Sequence, residues 1–211
     1  MPKIKKIYVG TNQVRPAYWN YTPTSNTLVY YPFKEDMNDY SWNNKNLSID
    51  SGTVSYADNK ITISNALRGS TILNGVSWAF TISFWTVWNG NAIYDADSWW
   101  PQWYNTARWN WDYWWNAIIN NSWRRAGNTT AAGTASDFVL LTVVYNWSQF
   151  LAYLNGTQTG TVTNCTGNIK WTATQFIIEW WTWGQVIIER WAWSASEVLD
   201  YYNNSKWNYW L

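Results

Sequence analysis

Short runs in which apolar and polar side chains alternate recur along most of the chain. They predict strands at 27–33, 52–56, 60–63, 70–73, 80–87, 91–94, 117–119, 138–145, 150–154, 159–162, 175–179 and 185–190. A period of two puts one side of each run on a core, and β-branched and aromatic residues suit a pleated surface. Gly, Asn, Ser and Asp punctuate the runs, as expected of an antiparallel sandwich or barrel. One helix is predicted, near the C-terminus. Ser194 and Glu197 have the spacing of a capping box, and Val198, Leu199, Tyr201 and Tyr202 supply an apolar face.

Two stretches depart from this pattern. Residues 1–22 read as a separate leader or attachment strand: a strand at 4–9, a turn at 10–13, then a segment whose Pro16 confines it to an edge. Residues 95–135 are the least regular part, with Asp95-Ala96-Asp97 near Trp99-Trp100-Pro101 and a Gly/Ala/Thr-rich end. A long irregular loop inside a compact domain usually serves function or motion.

Composition changes the picture at one residue type. The 211 residues hold 22 Trp beside 11 Gly, whereas average glycine usage is about 7%. Several Trp stand where turn chemistry favours glycine. Asn146-Trp147 joins two strand-like runs, and a tight hairpin turn needs positive φ, which a bulky side chain resists. Trp42, Trp171 and Trp181 lie in similar contexts, while Trp85 and Trp191 read as core or strand residues. One expectation is therefore a gene whose source reads UGA as glycine, rendered here as Trp. The alternative is a truly Trp-rich binding surface.

Charge narrows the partners. Charged residues are 13% and the formal net charge is +1, so no field favours nucleic acid or an anionic membrane. Lys3, Lys5 and Lys6 are too few for a nucleic-acid arm. No apolar run reaches the roughly 18 residues of a membrane span, and the N-terminus lacks the apolar run of a signal peptide. The single Cys165 excludes an internal disulfide framework. With no histidine, Ser-His-Asp triads, Cys-His dyads and His-based metal sites are excluded.

Five segments in order, Leu28-Val29-Tyr30-Tyr31-Pro32-Phe33, Asp39-Tyr40-Ser41-Trp42, Phe80-Thr81-Ile82-Ser83-Phe84-Trp85, Val143-Val144-Tyr145-Asn146 with Tyr153-Leu154-Asn155-Gly156, and 194–202, resemble the concanavalin A-like, laminin-G-like jelly-roll domains. The resemblance spans about residues 27–203. It implies an all-β jelly-roll sandwich of two antiparallel sheets with a short C-terminal helix, occupying 23–211 behind the leader. Trp42 and Trp147 replace residues that are commonly Gly in that family, whereas Trp85 falls where the family carries Trp. Residues 5–16 are similar to short leaders on bacteriophage virion and tail-associated proteins, which implies a virion or extracellular setting and virion proteins as partners.

Jelly-roll glycosidases cluster carboxylates as Glu-x-Asp-x-Glu, and no such cluster occurs among Glu35, Glu179, Glu189 and Glu197. The best remaining pair is Glu179 with Glu189, expected near the ends of two antiparallel strands, where a retaining enzyme needs carboxyl groups about 5 Å apart. A polysaccharide-cleaving enzyme is thus the third reading. The resemblance also implies a calcium site in a loop, for which Asp95 with Asp97, or Asp36 with Asp39, would be hard ligands. Sugar binding is the preferred expectation. An aromatic ring against the apolar face of a cell-surface glycan, with polar groups taking its hydroxyls, could come from Tyr94, Asp95, Trp100, Tyr104, Arg108, Trp111, Asp112 and Tyr113. The rival is a structural virion protein that binds only neighbouring subunits.

Overall fold

The computed structural model describes residues 7–9, 12–14, 20–73, 78–87, 92–96, 104–109, 112–119, 122–130, 138–164, 166–167 and 175–209. Their strands are β1 (Ile7–Val9), β2 (Asn12–Val14), β3 (Thr27–Tyr31), β4 (Ser48–Ser51), β5 (Val54–Ala57), β6 (Lys60–Ser70), β7 (Phe80–Val87), β8 (Ala92–Ala96), β9 (Tyr104–Trp109), β10 (Asp112–Ile119), β11 (Ser122–Thr130), β12 (Phe138–Tyr145), β13 (Gln149–Leu154), β14 (Thr157–Asn164) and β15 (Gln175–Glu189). Helix α1 (Ala195–Ser205) and a 3-10 turn (Lys206–Tyr209) follow. The fold is the all-β jelly-roll sandwich expected, closed by a short C-terminal helix. Among the described residues no helix is long and apolar enough to cross a membrane.

The main hydrogen-bonded path runs β14-β13-β12-β7-β15-β6-β4, with β3 and β8 also on β15 and β5 on β6. All these pairings are antiparallel. The long β15 links the two halves of the path. Gln175 to Glu179 pair with β6 and β8, whereas Val186 to Glu189 pair with β3 and β7. Register shifts between Glu179 and Trp181 and between Trp183 and Val186 bend the strand where the halves meet. Sequence periodicity predicts two strands there, at 175–179 and 185–190, because the bend carries loop-like residues.

Alternation decides what each face buries. On β7 and β12, Phe80, Ile82, Phe84, Val139, Leu141 and Val143 enter the main core with Val29, Ile61, Ile178 and Ile188. The opposite faces of the same strands are also buried, because α1 and the 3-10 turn lie over them: Trp85, Phe138, Leu140 and Val144 pack with Val198, Tyr201 and Tyr209. This explains why β12 reads as a continuous apolar run. Ser83 and Thr142 bond each other at 2.7 Å between the two strands. Gly184 lets the turn approach β15, since a Cβ there would run into Tyr209 and Trp85. The Tyr209 hydroxyl accepts from Gln185 N at 2.7 Å.

The structure corrects the reading of 95–135 as an irregular loop. β9, β10 and β11 form a three-stranded antiparallel sheet. They carry too few β-branched apolar residues to announce themselves, and their partners across the hairpins set them instead. Near the N-terminus β1 and β2 pair as a hairpin, so Asn12 and Gln13 belong to a strand rather than to a turn.

The glycine-like positions separate on backbone geometry. Trp147, Trp180 and Trp181 have φ of 75°, 45° and 73°, in the left-handed region that costs an L-residue about 1–2 kcal/mol. In the loop after Asp39 the left-handed residue is Asn44, φ 57°, and not Trp42; Trp42 is 83% exposed. Trp171 lies outside the described residues. Trp191, expected in core or strand, stands at a bend beyond β15 and is 55% exposed. Trp147→Gly is expected to raise stability by about 1 kcal/mol, or roughly 2–4 °C in Tm for a chain of this size. A fall in Tm on calorimetry would mean that the ring's contact with Tyr145, centroids 6.0 Å apart, outweighs the strain.

Candidate functional site

The described residues expected to bind sugar lie on β8, β9 and β10. Tyr94 lies on β8 opposite Ile177, and its hydroxyl donates to Glu179 Oε1 at 2.5 Å. Burial first, then that bond and the carboxylate's charge, push its phenol well above the ordinary value, so it remains a donor. With Ala66 and Ile177 it makes a small buried cluster, flanked by Arg68, which bonds Gln175 at 2.9 Å and pairs with Asp50 at 3.0 Å. Tyr94 is therefore a packed, satisfied residue rather than an open platform. Asp95 lies opposite Phe176 on β8. Arg108 and Tyr113 are cross-strand partners on β9 and β10, as are Tyr104 with Ala117 and Asp112 with Trp109. Trp100, Trp111 and Asp97 lie outside the described residues.

Glu179 and Glu189 are corrected as a pair. Both sit on β15, ten residues apart, Glu179 in register with Ala66 and Ala92 and Glu189 with Thr27 and Thr81. They are not neighbours at the ends of two strands. The Asp36 and Asp39 oxygens are likewise engaged. Asp39 accepts from the backbone N–H groups of Tyr30, Ser41 and Lys45, and Asp36 from Asn38 and Tyr40. Among the described residues no group of three or more His, Cys, Asp or Glu could hold a metal ion. Asp39 is thus an organiser of its loop.

A different place combines rings and polar groups in a concavity. A cleft of about 480 Å³ opens where the end of β15, the segment before β3 and one side of α1 meet. Tyr21, Thr24 and Asn26 line one side, Glu189, Trp191 and Trp193 another, and Glu197, Asp200, Tyr201 and Asn204 of α1 the third. Local chemistry holds each element in place. Thr81 Oγ1 donates to Trp191 O at 2.7 Å and accepts from Trp193 N at 2.8 Å, fixing the bend that turns Trp191 outward. Arg190 N donates to Asn26 O at 2.8 Å, tying the bend to the segment before β3. The capping box forms as its spacing predicts: Glu197 N donates to Ser194 Oγ at 3.3 Å, and Ser194 N to Glu197 Oε2 at 2.6 Å.

At the base of the cleft Glu189 is 3% exposed. Its Oε1 accepts from Thr27 Oγ1 at 2.6 Å and from the Tyr21 hydroxyl. Burial, and next the bond to Glu189, drive the Tyr21 phenol far above its ordinary value and keep it protonated. The Tyr21 ring meets Tyr30 edge-on at 5.5 Å and Tyr201 at 6.3 Å, and Trp193 lies 5.2 Å from Tyr201. Aromatic walls with carboxylate and amide groups at the rim suit a ligand with an apolar face and several hydroxyls. Tyr21 and Asn26 stand more than 160 residues from Glu189 and Trp191 in the chain. The capping spacing that marks Glu197 was the one local signal pointing here.

No protein-family model matches the chain, and no curated protein matches it at a significant level. Solved structures do share the fold. The binding domain of Paraclostridial Mosquitocidal Protein 1 is 17% identical with a TM-score of 0.66, over 84% of this chain and 52% of that one. The botulinum neurotoxin serotype D ligand binding domain, solved in complex with N-acetylneuraminic acid, is 12% identical with a TM-score of 0.68, over 84% and 50%. Domain 4 of AbnA, an extracellular GH43 arabinanase from Geobacillus stearothermophilus solved in complex with arabinotriose, is 14% identical with a TM-score of 0.64, over 83% and 97%. The chain thus spans about half the length of the two toxin domains and nearly all of the arabinanase domain, and at these identities the likeness is one of fold.

Proposed function

We propose that the chain is a non-catalytic carbohydrate-binding module whose sugar site is the cleft between β15, α1 and the segment before β3. The observation that carries this reading is the cleft's composition: the exposed Trp191 ring and the Tyr21, Trp193 and Tyr201 walls stand beside Asn26, Asn204 and Asp200. A pyranose offers an apolar face to such rings and hydroxyls to such groups. Likeness of fold to domains solved with N-acetylneuraminic acid and with arabinotriose supports it. The setting on a phage virion or another extracellular surface is part of the same proposal, supported by the likeness of residues 5–16 to virion leaders. Repetition on such an assembly would make weak sugar contacts useful.

The proposal includes glycine at some of the Trp positions. The left-handed φ of Trp147, Trp180 and Trp181 supports glycine there, while Trp85, Trp183 and Trp193 are buried among other rings and pack as indoles. An intact mass of the protein from its native source, lower than the sequence mass by whole Trp-to-Gly steps, is expected; equality would remove this part.

A glycan array followed by titration calorimetry tests the site. Asn204→Ala and Trp191→Ala are each expected to weaken binding about threefold to tenfold, the worth of one hydrogen bond or one ring contact. Affinity unchanged in both variants would move the sugar elsewhere. A silent array with self-assembly or capsid binding would favour a structural virion protein.

A further inference from the structure

We propose that Thr27 and Thr81 are positioning residues of the cleft: two buried hydroxyls, one on each side of Glu189, that hold its two irregular walls in place without touching the ligand. This rests on the reading of the cleft as a sugar site and specifies what preorganises that site.

The wall that carries Tyr21, Thr24 and Asn26 and the wall that carries Trp191 and Trp193 both lie outside the sheet. β3 begins at Thr27 and β15 ends at Glu189, so ladder bonds stop where the cleft starts and other groups must satisfy and fix the backbone there. Thr27, Glu189 and Thr81 stand in one row across β3, β15 and β7, with Glu189 in register with both threonines. Each threonine hydroxyl is engaged as acceptor and as donor. Thr27 Oγ1 accepts from Thr24 N at 2.8 Å and donates to Glu189 Oε1 at 2.6 Å, the oxygen to which the Tyr21 hydroxyl also donates. It thereby ties the backbone of one wall to the base of the cleft. Thr81 Oγ1 accepts from Trp193 N at 2.8 Å and donates to Trp191 O at 2.7 Å, clamping the other wall on both sides of Ala192. Both threonines are buried, and neither is among the residues that line the cleft.

A hydroxyl has one proton to give, so each rotor has a single setting once its two partners are in place. Valine approximates the shape of threonine but neither donates nor accepts, whereas serine keeps the hydroxyl. A wall left loose has to be ordered by the ligand, and that ordering is subtracted from the affinity.

Titration calorimetry of the full chain with maltotriose, chitotriose and arabinotriose selects the tightest probe, which is then carried into Thr27→Val, Thr81→Val, Thr27→Ser and Thr81→Ser. Each valine variant is expected to bind about threefold to tenfold weaker, the worth of one hydrogen bond, and each serine variant to recover most of the loss. Thr142→Val is the control for a merely structural role. Thr142 bonds Ser83 at 2.7 Å, two residues along β7 from Thr81, and neither residue lines the cleft. This variant is expected to lower Tm much as Thr81→Val does and to keep the parent affinity, measured well below every midpoint. Amide hydrogen exchange without probe should rise in 20–26 for Thr27→Val, in 190–193 for Thr81→Val, and in neither for Thr142→Val. Valine variants with the parent affinity, serine variants no better than valine, or a Thr142→Val protein that binds as weakly would overturn the positioning role while leaving a sugar site standing. Silence of the parent chain toward all three probes would overturn both readings.

Discussion

Trp85→Ala is expected to lower the unfolding free energy by about 3–5 kcal/mol, the range for truncating a large buried aromatic. The indole is fully buried on the outer face of β7 and joins the sheet to the C-terminal helix. It stacks on Phe138 with centroids 5.8 Å apart and planes 6° from parallel, on Tyr202 at 5.8 Å, and meets Tyr209 at 4.9 Å. Its Nε1 donates to Ser205 Oγ at 3.0 Å, and that hydroxyl in turn donates to Tyr201 O at 2.7 Å. Truncation opens a cavity that the close approach at Gly184 cannot fill, because the strand there already touches Tyr209. Tm should fall by roughly 10 °C, at 2–4 °C for each kcal/mol in a chain of this size. Trp85→Phe keeps most of the apolar contact and loses the Ser205 bond, so about 1–2 kcal/mol is expected. A truncation that leaves the thermal midpoint within a degree or two would show that α1 is not held through this ring.

The second large effect is expected at Asp39. Its buried carboxylate accepts from Tyr30 N at 3.0 Å, Ser41 N and Lys45 N at 2.9 Å each, and Ser41 Oγ at 2.8 Å. Asp39 N donates to Asn46 Oδ1 at 2.8 Å. One side chain thereby satisfies three backbone donors, Tyr30 N on β3 and Ser41 N and Lys45 N in the loop that follows. Asp39→Ala leaves those donors to partial rescue by water, so a loss of about 3 kcal/mol is expected at roughly 1 kcal/mol each. Asp39→Asn keeps the shape but turns one acceptor into a donor, so a smaller loss is expected. Urea denaturation separates the outcomes. The midpoint should fall with an unchanged slope, since the surface exposed on unfolding stays the same. An Asp39→Ala protein with the parent midpoint would mean that the loop finds other partners.

What was legible in the sequence was local. The Ser194–Glu197 spacing specifies a helix start because both hydrogen bonds close within four residues. The hairpin of β12 and β13 was legible because two β-rich runs flank Asn146, whose Oδ1 accepts from Ser148 N and Gln149 N. The jelly-roll class follows from many such runs in order. The continuity of β15 was not legible, because left-handed residues at Trp180 and Trp181 look like a loop on paper, and only pairing with β6 carries the chain through. β9 to β11 were hidden for the opposite reason, having partners but no clear alternation. The cleft was invisible since its walls meet only when β15 lies beside β3. Aromatic density drew attention to 94–113, whereas the cleft gathers its rings and polar groups from three separate stretches of the chain.

The place of β15 in the order of synthesis carries a further consequence. Among the described strands of the sandwich it is the last to be synthesised, yet it is the neighbour of β3, β6, β7 and β8. The earliest strand of the sandwich, β3, finds Val186, Ile187 and Ile188 only after some 150 residues have been made. Until then β3, β6 and β7 present unsatisfied edges, the surfaces through which nascent chains associate wrongly. The nascent chain should therefore gain protease resistance in one late step, as residues 175–189 clear the exit tunnel, rather than strand by strand.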